Sequence, residues 1–100
     1  MARKYDGVIE AVRYRNGQIV MVRAYERRGA AFSDMVLIER KALVEKLQQG
    51  RKFVTGARVQ FRAGTFTVGR DVSLVEARDR AWISTHPAAA HDDLEGVPVF

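Results

Sequence analysis

The sequence predicts a mainly β domain, a small barrel of five or six strands with one short helix after the third strand. Three observations predict it. Asn16-Gly17 separates two runs rich in Val, Ile, Tyr and Met, and both residues tolerate the positive φ of a type I′ hairpin turn. A second alternating run, Arg58 to Arg62, turns at Ala63-Gly64 and returns through Phe66 and Val68. Only one segment, Arg40 to Gln49, carries helical spacing, with Leu43, Val44 and Leu47 on one side and Gly50 as its stop.

The first hairpin runs from Tyr5 to Arg15 and from Gln18 to Arg27. A two-residue loop with unbroken pairing sets Tyr14 opposite Ile19, Val12 opposite Met21, Glu10 opposite Arg23 and Val8 opposite Tyr25. The other face pairs Arg13 with Val20, Ala11 with Val22 and Ile9 with Ala24, and this smaller, smoother face is expected to line the core. Arg13 and Arg23 then point to opposite faces. Glu26 to Ala31 reads as a loop and Phe32 to Ile38 as a third strand; a helix starting at Ser33 or Asp34 is the alternative. After the helix come Lys52 to Thr55, a break at Gly56, and the second hairpin, with Val59 and Phe61 inward opposite Val68 and Phe66. Gly69 and Asp71 read as a turn before a strand over Val72 to Glu76. Ala81 to Thr85 forms a last strand or opens a helix, and Pro87 suits the first turn of a short helix over Ala88 to Leu94.

One hundred residues suffice for one core and not two. The chain divides by charge. Residues 1–86 carry seventeen basic and nine acidic side chains, net +8, whereas residues 87–100 carry Asp92, Asp93 and Glu95 and no base. A basic body, 1–86, with an acidic C-terminal segment, 87–100, is therefore expected, the segment either packed on the barrel or free. Absence of cysteine excludes disulfides, thiolate metal sites and a cysteine nucleophile, and fits a reducing cytoplasm. No apolar stretch follows the Met-Ala-Arg-Lys-Tyr-Asp start, so no signal peptide, anchor or membrane span is expected.

The order of hairpin, third strand, short helix and further strands resembles the OB-fold over residues 5–76, a fold whose early strands commonly bind oligonucleotides. Residues 91–100, His-Asp-Asp-Leu-Glu-Gly-Val-Pro-Val-Phe, resemble the acidic, Phe-terminated tails of bacterial single-stranded-DNA-binding proteins, which recruit partner proteins. Val99 between Pro98 and Phe100, and the interruption of the acids by Gly96 and Val97, depart from that pattern. The resemblance implies partner contacts through Val97, Pro98 and Phe100; the alternative packs Val97, Val99 and Phe100 on the barrel as a final strand.

Catalysis finds no support. The histidines are His86 and His91 alone, no Gly-rich phosphate loop is present, and no carboxylate pair stands in an apolar run. No catalytic residue, metal or cofactor is expected. The net charge of +5 favours a polyanion. The expected site for single-stranded DNA or RNA comprises Arg13, Tyr14, Arg23 and Tyr25 on the first hairpin, Arg27 and Arg28 in the loop, and Arg58 and Arg62 on the second, with guanidinium groups neutralising phosphate and rings stacking on bases. Arg70 stands near the same hairpin, and Trp82 is either a stacking platform or a core anchor. The alternative function is a protein-interaction or assembly subunit, a homo-oligomer or an accessory chain, that buries the second apolar face of the first hairpin.

Overall fold

The computed structural model describes residues 5–29, 31–58, 66–77, 80–86, 91–94 and 96–100. In chain order they form β1 (Gly7–Arg15), β2 (Gln18–Arg28), β3 (Ala31–Phe32), β4 (Val36–Glu39), α1 (Arg40–Gln48), β5 (Phe53–Arg58), β6 (Phe66–Ala77) and β7 (Arg80–Ser84). The strands hydrogen-bond in the order β3-β2-β1-β5-β6-β7, with β4 also on β2. β1 and β5 run parallel; the other ladders are antiparallel. The result is a curled, mainly β half-barrel, with one helix among the described residues.

The hairpin turn has its expected chemistry, with Asn16 at φ 52° and Gly17 at φ 77°. Its register departs from unbroken pairing. Tyr14↔Ile19, Ile9↔Ala24 and Val8↔Tyr25 pair as expected, but the middle shifts to Arg13↔Met21, Val12↔Val22 and Ala11↔Arg23. Two β-bulges cause this, one leaving Val20 unpaired on β2 and the other leaving Glu10 unpaired on β1. Each switches the side-chain parity, so the core receives Ile9 and Val12 from β1 and Ile19, Val22 and Ala24 from β2. Ile38, Leu43, Phe53, Val72, Ile83 and Leu94 complete that core.

The expected third strand is two strands. Ser33 lies between them and stays on β2, donating N–H to the Glu26 carbonyl (2.7 Å) while its Oγ accepts the Glu26 N–H (3.1 Å). Val36–Glu39 is strand, which settles the choice against a helix from Ser33 or Asp34. α1 follows directly. It buries Leu43, leans Ala42, Val44 and Leu47 on the core, and ends at Gly50, φ 86°.

β5 runs unbroken through Gly56 to Arg58, and β6 runs unbroken from Phe66 through Gly69 and Asp71 to Ala77. The expected breaks are a close approach at Gly56 and a register shift at Gly69, both inside continuous strands: Val54 pairs with Asp71 and Gly56 with Val68, so Gly69 and Arg70 together face Thr55. A Cβ at Gly56 would overlap the Thr67 carbonyl, and one at Gly69 would stand 2.6 Å from Thr55 Oγ1. Phe66 consequently pairs with Arg58 and Val68 with Gly56, in place of Phe61 and Val59. Val59, Phe61, Arg62 and the Ala63-Gly64 turn lie outside the described residues. The first part of β6 pairs with β5 and the second with β7, which curls the sheet.

β7 settles Ala81–Ser84 as strand. The expected helix over 88–94 is contradicted at its described end. Asp93 bridges Ser84 in parallel, with Asp93 N–H to Ile83 O and Thr85 N–H to Asp93 O each at 3.0 Å. No helix among the described residues is long and apolar enough to cross a membrane.

Candidate nucleic-acid interface

Because of the bulges, alternate residues of the hairpin's outer side form one face: Val8, Ala11, Arg13 and Arg15 on β1, and Met21, Arg23, Tyr25 and Arg27 on β2. Arg13 and Arg23, expected on opposite faces, both reach the ring of Phe100. Their guanidinium carbons lie 4.7 and 4.2 Å from its centroid. That is cation–π distance. Arg13 also donates from Nε to the Phe100 main-chain oxygen (3.1 Å).

At the hairpin's open end the same face carries an aromatic cluster. Tyr25 meets Phe66 (5.1 Å), Phe66 meets Phe32 (4.8 Å) and Phe32 meets Tyr5 (5.7 Å). Arg27 lies over Phe32 (4.6 Å) and Tyr5 (5.8 Å), and Arg58 lies over Tyr25 (4.3 Å). Among the described residues, the buried Arg58 Nε finds no acceptor, so ring faces hold much of this guanidinium. Glu10, thrown out of the ladder by its bulge, accepts from the Tyr25 hydroxyl (3.4 Å) and from the Arg58 main-chain N–H (3.3 Å). Burial pushes the Tyr25 phenol up from its ordinary value. The Glu10 charge and hydrogen bond push the same way, against the opposing Arg58 cation.

At the turn end, Arg13, Arg15, Val20, Met21, Glu39, Arg40 and Lys41 line an open cleft of ≈ 410 Å³ between the hairpin and the start of α1. Val20 and Met21 give it an apolar lining, and Arg13, Arg15 and Lys41 line it beside the carboxylate of Glu39, while Arg40 is paired with Asp92.

The two tyrosines expected to stack on bases are not presented for it. Tyr25 is 6% exposed and locked in the aromatic cluster. Tyr14 points to the opposite, core side, where its hydroxyl accepts the Leu94 N–H (3.0 Å). Arg28 is exposed at the end of β2, and Arg62 lies outside the described residues. Trp82 is half-buried on β7, paired with Val75, away from this face.

The described residues of the C-terminal segment, 91–94 and 96–100, pack on the half-barrel. Asp92, whose side chain is 0% exposed, forms an ion pair with Arg40. Its carboxylate also accepts the Ile19 N–H (2.7 Å) and the Ile83 N–H (2.9 Å). Arg40 in turn donates to the Ile19 carbonyl (3.0 Å) and the Ala81 carbonyl (2.9 Å). Val97 leans on the core. Val12 N–H donates to Pro98 O (2.9 Å) and Phe100 N–H to Val12 O (3.0 Å), so residues 98–100 run as a short parallel strand beside β1. Sequence reasoning missed the Asp92–Arg40 pair. Nothing local marks an aspartate among acidic neighbours as the one that turns inward. Among the described residues no group of His, Asp and Glu is placed to hold a metal.

Comparison of the chain with protein-family models, curated proteins and solved structures finds no match.

Proposed function

We propose that this protein binds single-stranded nucleic acid or structured RNA without catalysing a reaction, through the outer face of the β1–β2 hairpin and the cleft at its turn end. One observation carries the reading: Arg13, Arg15, Arg23 and Arg27 share a single strand-pair face, and Lys41 continues it across the cleft. Guanidinium groups repeating along a strand suit a phosphate backbone, and attraction to it needs no base readout. The half-exposed rings of Phe32 and Tyr5 beside Arg27 supply stacking surfaces in place of Tyr14 and Tyr25. The half-barrel, OB-like in its element order, offers such a face on its early strands, and a chain without cysteine suits the cytoplasm.

The test is fluorescence anisotropy with labelled single-stranded DNA, single-stranded RNA and duplex at several salt concentrations. Neutralising four phosphates on a single strand gives a log–log salt slope of about −3. Arg13→Ala, Arg15→Ala and Arg23→Ala should each weaken single-strand binding and flatten that slope by about 0.7. Equal, low-salt-only binding to all three ligands, unchanged in these variants, removes the reading.

A second reading, a protein-assembly subunit, draws on a different observation. Leu37 on β4 is 58% exposed and Met35 beside it 45%, next to a strand hydrogen-bonded to β2 on its inner side. On the hairpin's outer face Tyr25 packs against Phe66 and the Phe100 ring lies beside Arg23, whereas Leu37 and Met35 offer apolar surface to a partner. Sedimentation across a wide concentration range separates the two: association abolished by Leu37→Lys supports assembly, and a monomer throughout excludes self-assembly.

A further inference from the structure

We infer that the Arg13–Arg23 clamp is a subsite for one unpaired base and its phosphate, and that residues 98–100 occupy it in the free protein as a built-in competitor; this rests on the nucleic-acid reading above. The occupant shows what the subsite accepts. A flat ring lies against two guanidinium groups, at 4.7 and 4.2 Å, and an oxygen acceptor next to that ring takes the Arg13 Nε–H at 3.1 Å. A nucleobase offers the same π-face to the two cations, and its phosphate offers a stronger, charged acceptor to Arg13. A single strand cannot stack there while Phe100 fills the place, so binding requires the segment to leave.

The segment is built in two parts. Residues 91–94 are fixed, because Asp92 and Leu94 are buried and Asp92 holds Arg40 and two main-chain N–H groups. Residues 98–100 are held lightly. Two main-chain hydrogen bonds to Val12 and the Phe100 contacts secure them, while Val99 is 66% exposed and Pro98 is exposed. Gly96, at φ 78°, lies between the two parts at a backbone angle that favours glycine. Residues 98–100 can therefore lift from β1 without disturbing the core, freeing the ring site and the Val12 main-chain groups together.

The test compares wild type, Phe100→Ala and Phe100→Leu, all full-length, for binding a fluorescein-labelled twelve-nucleotide oligouridylate. Circular dichroism checks the fold, and hydrogen exchange is followed at the Phe100 amide with and without the oligonucleotide. Expected are roughly tenfold tighter binding by both variants, which lose the cation–π contacts, and loss of Phe100 amide protection in the wild-type complex. Unchanged affinity, with the amide still protected in the complex, overturns the competitor while leaving the nucleic-acid reading standing. Weaker binding by the variants overturns it too, because Phe100 would then be a contact for the ligand. If neither wild type nor variants bind at physiological salt, both inferences fall.

Discussion

Replacing Asp92 with alanine should remove the element that fastens the C-terminal segment to the half-barrel. In the wild type its carboxylate, fully shielded from solvent, meets Arg40 and the N–H groups of Ile19 and Ile83. These three partners belong to α1, β2 and β7, so one side chain joins three elements. Breaking a buried ion pair by removing one partner costs about 3–5 kcal/mol. The Arg40 side chain is 26% exposed and can turn partly to water, which favours the lower end, about 3 kcal/mol. That figure includes the two main-chain donors left without an acceptor, at about 1 kcal/mol or more each. Against a total stability of about 5–15 kcal/mol for a domain, the loss is severe, and it corresponds to a melting point lower by roughly 12–24 °C. Urea unfolding, followed by far-ultraviolet circular dichroism and by the fluorescence of the single Trp82, measures it. Arg40→Met and the double variant close a cycle in which the pair should couple by more than about 1 kcal/mol. A loss below about 1 kcal/mol for Asp92→Ala, with an unchanged denaturant slope, would refute the reasoning.

Two further outcomes follow from the packing. Gly56→Ala should destabilise by about 1–3 kcal/mol, because the new methyl group overlaps the Thr67 carbonyl across the β5–β6 ladder; unfolding equally stable to wild type would show the ladder looser than drawn. Stability should also fall in alkali. The folded protein keeps the Tyr25 proton at pH values where the unfolded chain, near the ordinary 10.0, has released it, so this contribution is whole below that pH and is lost as pH rises through the folded value. Tyr25→Phe should flatten the alkaline limb of stability against pH in urea unfolding, and curves parallel to wild type would count against the burial argument.

Much of the architecture was legible because it rests on local chemistry. Asn16-Gly17 needs a turn that few other pairs can make, and Gly50 ends the helix at the backbone angle it tolerates best. The bulges were the main misreading, and their signal lies in the sequence. Val8-Ile9 and Ala11-Val12 are apolar doublets, which strict alternation does not produce and a parity switch does. Recognising them would have placed Arg13 and Arg23 on one face and turned Tyr14 inward. Gly56 and Gly69 read as breaks because glycine in a strand has two meanings; which one applies depends on what the neighbouring strand brings close, here Thr67 and Thr55. The parallel pairing of β1 with β5 and the Asp92–Arg40 pair join residues far apart in the chain. No local pattern encodes either. For the candidate interface, residue types pointed to arginine and aromatic rings; the rings that meet Arg13, Arg23 and Arg27 are Phe100, Phe32 and Tyr5, whereas Tyr25 meets Arg58 and Tyr14 turns inward.

The most direct measurement is a titration of ¹⁵N-labelled protein with a short single-stranded oligonucleotide at physiological salt, followed by amide and arginine side-chain resonances. The account predicts shifts at Arg13, Arg15, Met21, Arg23, Arg27 and Lys41, joined by Val12 and Phe100, with the core amides of Ile9, Val22 and Ile83 unmoved. Shifts confined to other surfaces, or none at saturating oligonucleotide, would contradict it.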